Sequence, residues 1–162
     1  MNNTNHIEIF SPKLCAVVPI KHVNKKKALE TACILFNKYD MELKTQALLE
    51  GFIQRERLGA TAIGHQVAIP HSRHPDINRP LCAVICFAHP VDFDPPHEQP
   101  VRILFALIAP EHHEEQHAPL LARLVTPLKQ TLNRQALLDC RCENTLYQTV
   151  QNLYAHPHHD SR

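Results

Sequence analysis

A histidine directly after a proline, His71, closes a stretch whose residue types suit one chemistry. A neutral imidazole titrates near pH 7 and is a competent nucleophile towards phosphorus, and the phosphoramidate it forms stays reactive enough to pass the group on. Phosphoryl transfer asks a protein for in-line positioning and for stabilisation of charge on the equatorial oxygens. Arg55 offers a fork of donors to such oxygens, Thr61 a hydroxyl, and a second histidine, His117, a ring donor. Pro70 stiffens the approach to His71. Of three glycines in 162 residues, Gly59 and Gly64 both lie between Arg55 and His71, where a backbone needs positive φ or a close approach.

A rival chemistry is spelled by residues 113–117, H-E-x-x-H, in which His113 and His117 would hold zinc and a glutamate would act as general base. Thirteen histidines make a chance match unsurprising. Pro110 precedes the motif so closely that His113 is expected before the helix proper, and no third ligand follows on a second helix. The histidine-rich end, His156-Pro157-His158-His159, is expected to be a tail. The cysteines Cys15, Cys33, Cys82 and Cys86 sit in apolar segments and read as reduced core residues. Cys140 and Cys142 form an exposed-looking pair without a second cluster.

The elements that must position these residues alternate. Apolar, Val/Ile/Leu-rich runs at 14–20, 61–69, 81–87 and 102–109 predict strands of a buried sheet. Asn24 is expected to cap a helix reaching Tyr39, with Ala28, Ala32, Leu35 and Phe36 on one face. Asp40 is expected to cap a second helix, which carries Leu48, Phe52 and Arg55 and ends at Gly59. From about residue 116 a helix opens with His117 and carries Leu120, Leu121, Leu124 and Leu128 along one stripe; Pro127 would disturb its end. Its N-terminus would add oriented amides that favour an anion near His117. Further helices are expected at about 133–139 and 144–154. The fold class is therefore α/β, a single-domain sandwich with a central mixed sheet flanked by helices.

Composition sets the bounds. A hydrophobic content of 44% supplies one ordinary core, and a net charge of +1 leaves no global basic field, so no nucleic-acid partner is expected. No apolar run approaches a membrane span, and the N-terminus lacks the order of regions found in a secretory signal. Cytoplasmic localisation without membrane insertion is the expectation.

The run Arg55, Glu56, Gly59, Ala60, Thr61, Ile63, Gly64, Val67, Ala68, Ile69, Pro70, His71 resembles the phosphorylation-site signature of the enzyme IIA proteins of the bacterial phosphotransferase system, of the fructose/mannitol/nitrogen type. A second segment agrees in order: Gln99, Pro100, Val101, Leu104, Phe105, Ala106, Leu107 and Pro110, then His117, Leu120 and Leu124. The resemblance implies one enzyme IIA type-2 domain over residues 7–154, with residues 1–6 and 155–162 as flexible ends. It also implies the family's sandwich fold, with His71 as phosphoacceptor, His117 stabilising the phosphoryl group, and Arg55 and Thr61 beside them. The donor would be an HPr-like phosphocarrier protein, and neither metal nor organic cofactor is needed, because side chains and amides handle the charge. A free-standing chain looks most like the nitrogen regulatory enzyme IIA, whose output would be phosphorylation-dependent contact with targets such as transporters or sensor kinases. The alternative inside the family is a sugar-specific component passing phosphate to an enzyme IIB. His65, Gln66, Ala118 and Pro119 depart from the family pattern, which bears on the fine geometry beside the site.

Overall fold

The two most apolar runs of the chain pair antiparallel at the centre of the sheet. These are β5 (Leu81–Asp92) and β6 (Pro100–Pro110), in register from Leu81 opposite Ile108 to Ile85 opposite Leu104. The computed structural model describes residues 8–93, 100–112 and 114–155. Strand β1 (Cys15–Val18) lies parallel to β5 on one side. On the other side of β6 run β3 (Val67–Ala68) and β4 (His71–His74), both parallel to it, and β2 (Ala62–Gly64) pairs antiparallel with β3. The sheet is mixed, as expected.

Side chains of a strand alternate between faces, so each central strand feeds two cores. Leu104, Ala106 and Ile108 of β6 pack with Leu81, Ala83 and Ile85 of β5 under α1 (Lys25–Tyr39) and α2 (Thr45–Leu58), where Phe36 and Phe52 stack. Ile103, Phe105 and Leu107 pack with Cys82, Val84 and Cys86 under α3 (His117–Leu128), α4 (Thr131–Leu138) and α5 (Glu143–Ala155). Helices therefore cover both faces. The four cysteines read as core residues are buried, and burial pushes the Cys15, Cys33 and Cys86 thiols up to about 12. Cys142 is exposed, with Cys140 half-buried.

The sequence-based elements need four corrections. Residues 61–69 are not one strand: His65 and Gln66 take positive φ (55° and 66°) and turn the chain between β2 and β3, the geometry of a two-residue hairpin. Beyond Pro70, which has no N–H to give a ladder, an unforeseen strand, β4, resumes along β6. Asp40 does not cap α2; it closes α1 and its Oδ1 accepts the Glu42 N–H at 3.0 Å, while Lys44 precedes α2 without a side-chain cap. Strand β5 continues five residues past the expected end, with a shift of register between Cys86 and Val91. Asn24 caps α1 as expected, its Oδ1 accepting the Lys27 N–H at 2.8 Å. Ala155, assigned above to a flexible end, closes α5; Gln99, His113 and the tail histidines lie outside the described residues.

Candidate functional site

Helix α2 lies close against β4 because it carries a glycine at the contact. A Cβ on Gly51 would come within 2.5 Å of the Ser72 hydroxyl. One turn further on, on the same face, Arg55 reaches His71. Its Nε donates to His71 Nε2 at 3.1 Å and its Nη1 donates to the Gly59 carbonyl at 3.0 Å, so the guanidinium is tied at both ends. His71 opens β4 opposite Leu107, held there by the Leu107 N–H bond to the Pro70 carbonyl.

These contacts decide the tautomer of His71. Arginine only donates, so Nε2 is the acceptor and carries a lone pair. Nδ1 lies 2.9 Å from the Ile69 carbonyl, which only accepts, so Nδ1 bears the proton. The ring is half-buried, and its pKa is lowered from 6.5: burial is the largest cause, Arg55 and Arg73 add to it, and the Ile69 hydrogen bond and Glu56 oppose it. A neutral imidazole with Nε2 unprotonated is a ready nucleophile.

His117 comes from the other side of the sheet, as the first residue of α3, and its ring centroid stands 5.3 Å from that of His71. Its pKa is also lowered, first by burial and then by the charges of His71, Arg73 and Arg55. Its Nδ1 is buried without a hydrogen-bond partner among the described residues, a costly arrangement unless something occupies the position in use. Pro119 removes one amide from the first turn of α3.

Thr61 is buried, and its single hydroxyl proton goes to Glu56 Oε1. The other oxygen of Glu56 pairs with Lys25 Nζ at 2.6 Å, the carboxylate being 6% exposed. The Thr61 carbonyl in turn accepts the Ile69 N–H at 3.0 Å, so Thr61 connects α1 and α2 to the backbone that holds His71. The structure thus brings Arg55, His71 and His117 together, while the Thr61 hydroxyl is committed to Glu56. Sequence reasoning missed Arg73, Glu56 as a structural anchor, and Lys25. Arg73 was accessible in principle: in a strand, positions i and i+2 share a face, which sets Arg73 beside His71 once β4 is recognised.

The zinc reading does not find its helix. Residues Glu114–Gln116 form a 3₁₀ turn and the α-helix begins at His117, so the described part of H-E-x-x-H is not one α-helical turn, and His113 lies outside the described residues. No group of three or more metal-ligating side chains occurs among the described residues.

The sequence pattern of the family described as "Phosphoenolpyruvate-dependent sugar phosphotransferase system, EIIA 2" matches residues 8–153. A nitrogen regulatory protein of Pseudomonas aeruginosa is 34% identical over 135 residues, covering 83% of this chain and 88% of that protein. The nitrogen regulatory protein of Escherichia coli K12 is 30% identical over 159 residues, covering 96% and 97%. Among solved structures, nitrogen regulatory protein IIA-Ntr from Neisseria meningitidis superposes with a TM-score of 0.77 at 29% identity, over 91% of this chain and 97% of that one. No helix among the described residues is long and apolar enough to cross a membrane.

Proposed function

This chain belongs to the EIIA 2 family of the phosphoenolpyruvate-dependent sugar phosphotransferase system, and we propose that within it His71 Nε2 accepts a phosphoryl group from the phosphohistidine of an HPr-like carrier protein. The observation that carries this reading is the pair of hydrogen bonds that keeps the proton on Nδ1 and leaves the Nε2 lone pair facing a guanidinium. In the transfer, the donor's N–P bond breaks as the Nε2–P bond forms, and the donor imidazole leaves with the bonding electrons. The Arg55 Nε–H, released from the lone pair, turns to a phosphoryl oxygen. A proton on His117 Nδ1 then finds in the phosphoryl group an acceptor that the described residues do not offer it. These donors are in place before the phosphoryl group arrives, which is the condition under which they stabilise a transition state most.

The likeness to nitrogen regulatory proteins supports a regulatory output. On this reading the chain works in the cytoplasm, and the charge gained at His71 changes which targets, such as transporters or sensor kinases, bind the surrounding face. Exposed Leu58 and Ile63 flank the Gly59 turn and offer apolar contact to a protein partner. On this reading the domain unit is residues 7–154, carried one residue further by Ala155 at the end of α5.

The test is to mix the purified chain with a phosphorylated HPr-type donor and follow label in the presence and absence of a fructose- or mannitol-type enzyme IIB. Label retained on the chain when enzyme IIB is added supports the regulatory role. Rapid loss to enzyme IIB moves the protein to the sugar-transport branch, and no acceptance at all removes the phosphocarrier reading.

A further inference from the structure

A cavity of about 560 Å³ opens beside the histidine pair, with His117 in its wall. Three arginines from separate elements line it: Arg73 of β4, Arg79 of the segment before β5, and Arg123 of α3. Glu115 is the carboxylate among the described lining residues, so positive charge is in excess. Between the charges the wall is apolar, built from Pro80, Ala109, Pro110, Pro119 and Leu120. Arg79 is held in place, its Nη2 donating to the Tyr39 hydroxyl at 2.7 Å.

We propose that this groove binds a small molecule carrying a phosphate monoester on an apolar body, and that its occupancy opposes phosphorylation of His71. The volume falls in the range of about 300–1,000 Å³ in which small ligands are held, with apolar walls and a few convergent polar groups. Arginine forks match the terminal oxygens of a phosphate dianion better than they match a single carboxylate. Opposition follows from charge. Arg73 acts on both His71 and His117, so an anion seated on it cancels a cation that the phosphoryl group would otherwise meet, and adds repulsion of its own. The binding half stands on the cavity alone; the regulatory half rests on the phosphocarrier reading.

The experiment titrates the ¹⁵N-labelled full chain with phenyl phosphate, with inorganic phosphate and benzoate as companions. Saturable shifts at the amides of Ala109, Leu120 and Arg123 are expected, tightest for phenyl phosphate. They should weaken at least tenfold in Arg79→Gln and Arg123→Gln, with an unchanged circular dichroism spectrum, and persist in His71→Ala. Saturating phenyl phosphate should slow phosphorylation of the wild-type chain several-fold and that of Arg123→Gln much less. Shifts confined to the surroundings of His71 and indifferent to the arginine variants would overturn the site, as would none at all. Equal affinity for benzoate overturns the phosphate assignment. Binding without slowing overturns the regulatory half, and binding to a chain that accepts no phosphoryl group isolates the failure to the phosphocarrier reading.

Discussion

Arg55 holds two contacts at once, with a histidine nitrogen and with the carbonyl that ends its own helix. Lysine keeps the charge but not the fork. Arg55→Lys is therefore expected to slow phosphoryl acceptance on the order of 10²-fold, the scale of removing one preorganised donor. The urea midpoint should move little, because Arg55 is only half-buried; quenched-flow labelling and a denaturation curve read the two effects. Thr61→Val should do the reverse. It leaves a buried carboxylate oxygen of Glu56 without its hydroxyl, which costs about 1–3 kcal/mol of stability, while the labelling rate stays within several-fold. Arg55, His71 and His117 were legible as a candidate set because residue types that could donate to and accept a phosphoryl group recur at recognisable places in the chain, and the structure brings these three together. The commitment of Thr61 to Glu56 was not, since it depends on how the turn after α2 folds the hydroxyl back onto the helix. Arg73 escaped notice because the motif ends at His71, and nothing in the sequence before Pro70 announces that a strand follows it.

At the scale of elements, the hairpin between β2 and β3 carries a local cost. His65 and Gln66 both sit at positive φ, which costs a residue with a Cβ roughly 1–2 kcal/mol. The Gln66 carbonyl accepts from the N–H groups of Arg102 and Ile103, which pins the turn to β6. Gln66→Gly should raise stability by about 1 kcal/mol, seen as a higher melting temperature, because the fixed conformation no longer opposes the side chain. The contact of Gly51 with Ser72 makes a second expectation. In a double-mutant cycle, Ser72→Ala should stabilise the Gly51→Ala background more than it stabilises the wild type, with coupling of about 0.5 kcal/mol or more. Independence of the two sites would mean that α2 is not seated by this contact. The strands and helices with clean periodicity were readable, α1 above all, where Asn24 signals its own start. The break of 61–69 into a hairpin and a later strand was hidden, because an apolar run reads the same whether straight or folded at a strained, non-glycine turn.

For the whole molecule, the histidine pair ties stability to pH. Both rings have pKa values lowered from 6.5, chiefly by burial. Between the lowered native values and 6.5 the unfolded chain binds more protons, so stability is full above about 6.5 and is lost as the pH falls below it. Protonation of Nε2 also ejects the Arg55 donor, so phosphoryl acceptance should fall in the same direction. Chemical denaturation across pH 5–8 should show this slope, and the variant with both His71→Gln and His117→Gln should show a shallower one. The sandwich itself was legible because two apolar runs, each feeding both faces, leave few alternatives to a sheet covered on both sides. The convergence of α2, β4 and α3 on one corner was not, because it arises from parallel pairing of β4 with β6 and no local pattern reports it.

The central claim is that His71 Nε2 is the phosphoacceptor, and the most direct measurement is ³¹P and ¹⁵N NMR of the chain after reaction with a phosphorylated HPr-type donor. The account expects one acid-labile phosphate on Nε2 of His71, absent in His71→Ala. A phosphate on Nδ1, or label that persists in His71→Ala, would contradict it.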